Sequence, residues 1–273
     1  MRKWIYWILI AALLVVFLFS AGRLLKIRRG YKVGEEVYSE AVEQFTQPAA
    51  ETDEPSPSAE TVPSDAPEYA PIVVDFEYLT KVNEDVIGWI YCPDTVINYP
   101  VVYGRDNSYY LERDYLGNFD ACGTIFTDAD NTPGFVDANV VLYGHHMQNN
   151  TMFAPLKYWL KQAYYEEHPV IWLLTPERDY RVDLFSAYVT EADSSAYQIV
   201  REPGFILDTY LAKALGESVI QTPVTLDRTA HYVVLTTCTN TSEYTRNVVH
   251  GMLVPLDSAG GVPLEELPDR NGQ

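Results

Sequence analysis

Apolar and polar positions follow three different rhythms along the 273 residues. From Trp4 to Gly22 no charged residue interrupts the chain, and that run approaches the roughly 20 residues a helix needs to cross a bilayer. It predicts a transmembrane signal-anchor over residues 4–22 behind a short cytoplasmic N-terminus, residues 1–3. A cleaved leader is the weaker reading, because the run exceeds the ~7–15 apolar residues of a signal peptide and Arg23, Lys26, Arg28 and Arg29 come directly after it. Next, Val33, Val37, Tyr38, Ala41, Val42 and Phe45 recur at mostly three- and four-residue spacing, which predicts an amphipathic juxtamembrane helix over 23–46. That helix either packs on the folded domain or extends the anchor. Residues 47–72 are rich in Pro, Glu, Ser, Thr and Ala with almost no large apolar side chain, too little to offset the entropy of ordering a backbone. They read as a flexible spacer that holds the folded part of the chain away from the bilayer.

From residue 73 the rhythm shortens. Phe76, Leu79 and Val82 mark one helical face, and Trp89–Phe126 then reads as short β-branched and aromatic runs broken by Pro93-Asp94, Asn98, Pro100, Gly104–Asn107, Gly117-Asn118 and Gly123. Val140–Tyr143 is a further strand ending in Gly144-His145-His146. Met152, Phe153, Leu156, Trp159 and Leu160 form an apolar stripe on a helix started by Asn150 or Thr151. Val170–Leu174 and Tyr180–Val189 form a hairpin, Phe205–Leu215 a helix set in a long connection, and Tyr232–Cys238 and Arg246–Val254 a last strand pair. Many short strands with frequent turns imply an antiparallel sandwich or barrel, mainly β, filling residues 73–273.

Charge and cysteines narrow the function. The first thirty residues hold six basic and no acidic residues, leaving 13 basic against 38 acidic residues, a net of −25. Such a surface repels phosphate backbones, so nucleic-acid binding is disfavoured. Cys92, Cys122 and Cys238 cannot all pair, and no Cys/His spacing suits zinc; neither a metal nor a cofactor is expected. Cys238 at the end of one strand is by itself an ordinary small hydrophobe. A histidine ending another strand and an arginine opening a third make a different combination: a thiolate, a proton donor for a leaving amine and a donor for an oxyanion. His250 lies on the face of Arg246 by period-two counting and is read as structural.

Set in order, VNEDVIGWI (82–90), INYPVV (97–102), NSYYL (107–111), GTIFTDADN (123–131), LYGHHM with TMF (142–147, 151–153), and VLTTCT with TRNVV after it (234–239, 245–249) resemble the motifs of the class B sortases, membrane-anchored cysteine transpeptidases of Gram-positive cell surfaces. The resemblance covers essentially all of 73–256. It implies an eight-stranded antiparallel β-barrel with N-terminal helices and a helix inserted before the last strand pair. It also implies Cys238 as nucleophile, His145 as general acid/base and Arg246 as the group that orients substrate and stabilises the oxyanion. His145 is preferred to His146 because it directly follows Gly144. By the same resemblance Asn107, Leu111 and Thr236 line the peptide groove, with Ser194 and Tyr197 on its wall. The reaction implied is cleavage after Thr of a C-terminal sorting signal, Asn-Pro-x-Thr-like or Ser/Pro-Pro-x-Thr-Gly-like, through a thioacyl-enzyme, with transfer to a peptidoglycan amine. Partners are then sorting-signal-bearing surface proteins and a peptidoglycan precursor. The positive-inside count, two basic residues before the span and four after it, argues for a cytoplasmic domain; the implied substrates argue for an extracytoplasmic one. A pilin-polymerising sortase is the alternative, disfavoured by a polar end without a second span, and a catalytically silent surface module is a further one.

Overall fold

The computed structural model describes residues 2–49, 69–238 and 244–263. Its first element is one uninterrupted helix, α1 (Arg2–Phe45), of 44 residues, about 66 Å long at 1.5 Å per residue. The expected span and juxtamembrane helix are therefore a single rod. Its N-terminal part is long and apolar enough to cross a membrane by length and composition, and the most apolar window packs against nothing. Its C-terminal part behaves differently: Tyr38, Ala41 and Phe45 are buried in the main core.

Two short strands come next. β1 (Thr46–Pro48) pairs antiparallel with β2 (Ile72–Val74), Gln47 opposite Val73, and the Ala49 N–H donates to the Pro71 carbonyl at 3.0 Å. The spacer between them, 50–68, lies outside the described residues, yet both of its flanks are fixed to each other. The two described ends of the expected 47–72 spacer are thus paired strands, and the rest of that expectation lies outside the described residues. The folded unit begins inside α1 rather than at residue 73. Composition reveals a stretch too polar to make a core, but it carries no information on where the ends of that stretch are held.

After α2 (Phe76–Val82), whose first turn is capped by Asp75 accepting from the Tyr78 N–H at 2.9 Å, eight strands close a barrel. They are β3 (Val86–Tyr91), β4 (Asn98–Tyr103), β5 (Ile125–Thr127), β6 (Asn139–His145), β7 (Val170–Leu174), β8 (Tyr180–Glu191), β9 (His231–Cys238) and β10 (Thr245–Pro255). Their order round the barrel is β10-β8-β7-β3-β4-β5-β6-β9. Pairing is mainly antiparallel, with β4/β5 and β6/β9 parallel. A parallel pair needs a long crossover. That between β6 and β9 carries a 3-10 helix (Ala154–Leu160), α3 (Gln162–Glu167), the β7–β8 hairpin and α4 (Phe205–Glu217). The stripe at Leu156 and Trp159 is buried as expected, on 3-10 rather than α geometry. A last hairpin, β11 (Ser258–Ala259) with β12 (Val262–Pro263), closes the described chain.

β6 and β9 are apolar almost without alternation, because both of their faces are covered. Val140, Leu142, Val233 and Leu235 face the barrel core. Val141, Tyr232 and Val234 face a second core formed with Leu207, Tyr210, Leu211 and Ala214 of α4. This inserted helix thus clamps from outside the two strands that end at His145 and Cys238.

Candidate active site

The parallel register of β6 and β9 runs from Asn139 opposite Tyr232 to His145 opposite Cys238, and both strands stop there. Adjacent strands lie about 4.8 Å apart, so the two backbones are in immediate proximity. On the other side of β9, β10 runs antiparallel with Val248 opposite Thr236, and the Asn247 N–H reaches Thr237 Oγ1 at 3.3 Å. The β9/β10 pairing ends at Val248–Thr236, and continuing its count two residues along each strand brings Arg246 to the level of Cys238. Histidine, cysteine and arginine thus stand in one row on three neighbouring strands at one end of the barrel.

The local sequence explains how the histidine is held. A Cβ at Gly144 would lie 2.5 Å from Ile125 Cδ1 and 2.7 Å from the Phe153 ring, so only glycine lets the strand sink onto that apolar floor before turning His145 outward. His145 is half-buried, and its Nε2 lies 2.6 Å from the Leu111 carbonyl oxygen. A carbonyl only accepts, so Nε2 carries the hydrogen. Proton traffic is left to Nδ1, which is buried and has no hydrogen-bond partner among the described residues. His146 sits deeper, bridged to Met152; burial, with Lys157 adding to it, pushes its pKa down. Arg246 is half-buried and donates from Nη1 to the Thr245 carbonyl at 3.1 Å.

The expected groove residues divide into two groups. Thr236 stands opposite Tyr143 in the β6/β9 register, fully buried, its hydroxyl without a partner among the described residues. Asn107 is engaged with the 128–129 turn: its Nδ2 donates to Asp128 Oδ2 at 3.1 Å, and its Oδ1 accepts from the Ala129 N–H at 2.8 Å. Leu111 contributes a backbone carbonyl as well as a half-buried side chain. Ser194 is turned inward on its own loop, its Oγ accepting from the Ala196 N–H at 3.1 Å. Tyr197 packs 6.3 Å, ring to ring, from Tyr143.

Two residues of this region escape the sequence pattern. The Tyr143 hydroxyl donates to Asp128 Oδ2 at 2.8 Å, the oxygen that also accepts from Asn107. Asp128 is thereby the joint between the loop carrying Asn107 and the strand carrying His145. Both residues lie within the family-like motifs, and the two-residue step from Tyr143 to His145 is the signal that marks the tyrosine.

The remaining candidates have structural positions. Cys92 and Cys122 are buried, and burial pushes both thiols up to about 12, which leaves them poor nucleophiles. His250 lies between Tyr188 (3.0 Å from Nε2) and Tyr210 (3.3 Å from Nδ1), and its burial pushes the pKa down to about 3. It is a core histidine, as the strand pattern indicates.

A closed eight-stranded barrel carrying a His–Cys–Arg row at the ends of adjacent strands is the arrangement of a cysteine transpeptidase. The chain belongs to the sortase family, whose domain model matches residues 90–254. Within that family it is a class B sortase. It is 30% identical to sortase B of Listeria monocytogenes over 241 residues, 88% of this chain and 92% of the relative. Among solved structures, sortase B of Bacillus anthracis superposes with a TM-score of 0.68 at 28% identity, covering 83% of this chain and 98% of that one. A sortase B–substrate complex from Staphylococcus aureus superposes with a TM-score of 0.62 at 34% identity, covering 66% and 84%.

Proposed function

We propose that the protein is a single-pass membrane sortase whose Cys238 thiolate attacks the Thr carbonyl of a C-terminal sorting signal, Asn-Pro-x-Thr-like or Ser/Pro-Pro-x-Thr-Gly-like, on a surface protein. The observation that supports this reading is the pairing of His145 with Cys238 at the end of β6/β9, with Arg246 near the start of β10, the strand on the other side of β9. As the tetrahedral intermediate forms, the Arg246 guanidinium stabilises the oxyanion and orients the peptide backbone. His145, held through Nε2–H by Leu111, delivers a proton from Nδ1 to the departing amine, and the C–N bond breaks to leave a Cys238 thioester. A peptidoglycan amine then attacks the thioester, His145 accepts its proton, and Cys238 leaves as the thiolate, which restores the starting pair. Atoms balance without a metal or cofactor: one amide is broken and one is formed.

Asn107, Tyr143, Thr236 and Tyr197 supply the groove, with Asp128 fixing the first two. One of the structural neighbours is a sortase B–substrate complex from S. aureus, which supports a substrate of that class for this chain. The domain lies outside the membrane in this reading, because both sorting substrates and amine acceptors are there. The test uses the full chain in detergent micelles with a fluorogenic peptide library of both signal types. Cleavage after Thr by wild type and none by Cys238→Ala is expected. Failure to cleave any member, or undiminished cleavage by Cys238→Ala, contradicts the proposal.

A further inference from the structure

α1 does more than end beside the barrel. Tyr38 is buried on its inner face, against the rings of Tyr99 (5.3 Å between centroids) and Tyr115 (6.2 Å). Its hydroxyl donates to the Gly123 carbonyl at 2.5 Å and lies 3.1 Å from Thr124 Oγ1. Of those two residues, Gly123 lies directly against His145. Gly123 has φ +60°, and a Cβ there would lie 2.6 Å from the Leu111 carbonyl oxygen and 3.0 Å from His145 Cδ2. The Leu111 carbonyl is the acceptor that holds His145 Nε2. Thr124 ties the same frame from its other side, its N–H donating to the Tyr110 carbonyl at 3.0 Å and its hydroxyl to the Arg113 carbonyl at 2.8 Å. A second contact of α1 reaches the loop beyond the histidine: Asn149 Nδ2 donates to Glu35 Oε1 at 2.7 Å. Burial, with smaller contributions from nearby acidic groups, pushes the Tyr38 pKa well above its ordinary value, so the phenol stays a donor throughout the working pH range.

We infer that Tyr38, on the helix that also forms the membrane span, is a positioning residue for His145, acting through Gly123 and the Leu111 carbonyl. The anchor and the catalytic histidine are then one mechanical unit. Displacing the helix loosens the Nε2–H anchor and lets the imidazole reorient. This inference rests on the sortase reading above for its kinetic part only.

The test compares wild type, Tyr38→Phe and Gln44→Ala as full-length chains in detergent micelles. Gln44 lies on the same helix and makes a different contact with the domain, Nε2 to the Tyr78 hydroxyl at 3.1 Å, with no route to His145. Tyr38→Phe is expected to lower kcat about tenfold with KM within about twofold, since small misplacements remote from the chemistry act on the reacting geometry. It should also shift the His145-dependent limb of the pH profile and alter the His145 ring nitrogen resonances, while Gln44→Ala stays like wild type. Unchanged kinetics and ring resonances in Tyr38→Phe, or an equal loss in Gln44→Ala, would overturn the inference. Should Tyr38→Phe fold poorly, Thr124→Val removes the hydroxyl 3.1 Å from Tyr38 Oη together with its bond to the Arg113 carbonyl, loosens the same frame and is read by the same resonances. The ring resonances need no substrate, so they decide the inference even if the peptide library finds no cleavage.

Discussion

The two histidines next to β9 show opposite uses of the same side chain. His250, on β10, has both nitrogens occupied by tyrosine hydroxyls, stacks on Tyr188 and is buried. His145, at the end of β6, has one nitrogen tied to a carbonyl and the other with no partner among the described residues. Saturation of both valences makes a packing element, while a single fixed valence aims the remaining nitrogen and leaves it able to exchange a proton. The difference comes from place in the barrel. His250 lies mid-strand beneath α4, whereas His145 is the last residue of its strand, at the end where β9 also stops.

The contrast between the two histidines breaks most easily at the rim. His145→Ala should lower kcat/KM by at least about 10³-fold with the melting temperature little changed, as expected for a group acting in the transition state; a loss under about tenfold would place the proton transfer elsewhere. Arg246→Ala should cost about 10²-fold, mostly in kcat, as removal of an oxyanion donor does. In the core the effect moves to stability. The folded pKa of His250 is depressed to about 3, so the unfolded chain binds the extra proton between about pH 6.5 and 3. Its contribution is fully present above about pH 6.5 and is lost as pH falls. Urea unfolding should show about 2 kcal/mol less stability at about pH 5 than at about pH 7 from this group alone, and His250→Phe should flatten that slope while leaving kcat within about twofold. Smaller still, Asp128→Asn should raise KM about fivefold by weakening its bonds to Asn107 and Tyr143.

Much of this is legible in the sequence, and for physical reasons. Glycine before His145 marks a strand pressed onto Ile125 and Phe153, and the unbroken apolar character of Val140–Leu142 and Val233–Leu235 marks strands covered on both faces. The motif order points to the inserted helix, which the fold contains, and singles out His145, Cys238 and Arg246 as the proposed catalytic set. Other features depend on partners distant in the chain. The role of the Leu111 carbonyl is a backbone property that no side-chain pattern encodes. Asp128 shows its importance only once β5 and the Asn107 loop are adjacent. The largest difference between pattern and fold concerns the spacer, because the pairing of β1 with β2 joins segments more than about twenty residues apart. A composition that excludes a core reads as a tether, and the same reasoning separates Tyr38 from the domain it helps to complete.

The central claim, that Cys238 carries the acyl group between two amines under the control of His145, is tested most directly by peptide mass spectrometry of the trapped enzyme. The full-length chain is mixed with a cleavable sorting peptide, quenched in acid and digested. The account predicts an adduct on the Cys238 peptide equal in mass to the signal up to Thr, discharged on adding an amine, and accumulated slowly in His145→Ala. An adduct on Cys92 or Cys122, or steady turnover of the peptide with no thioester at Cys238, would contradict it.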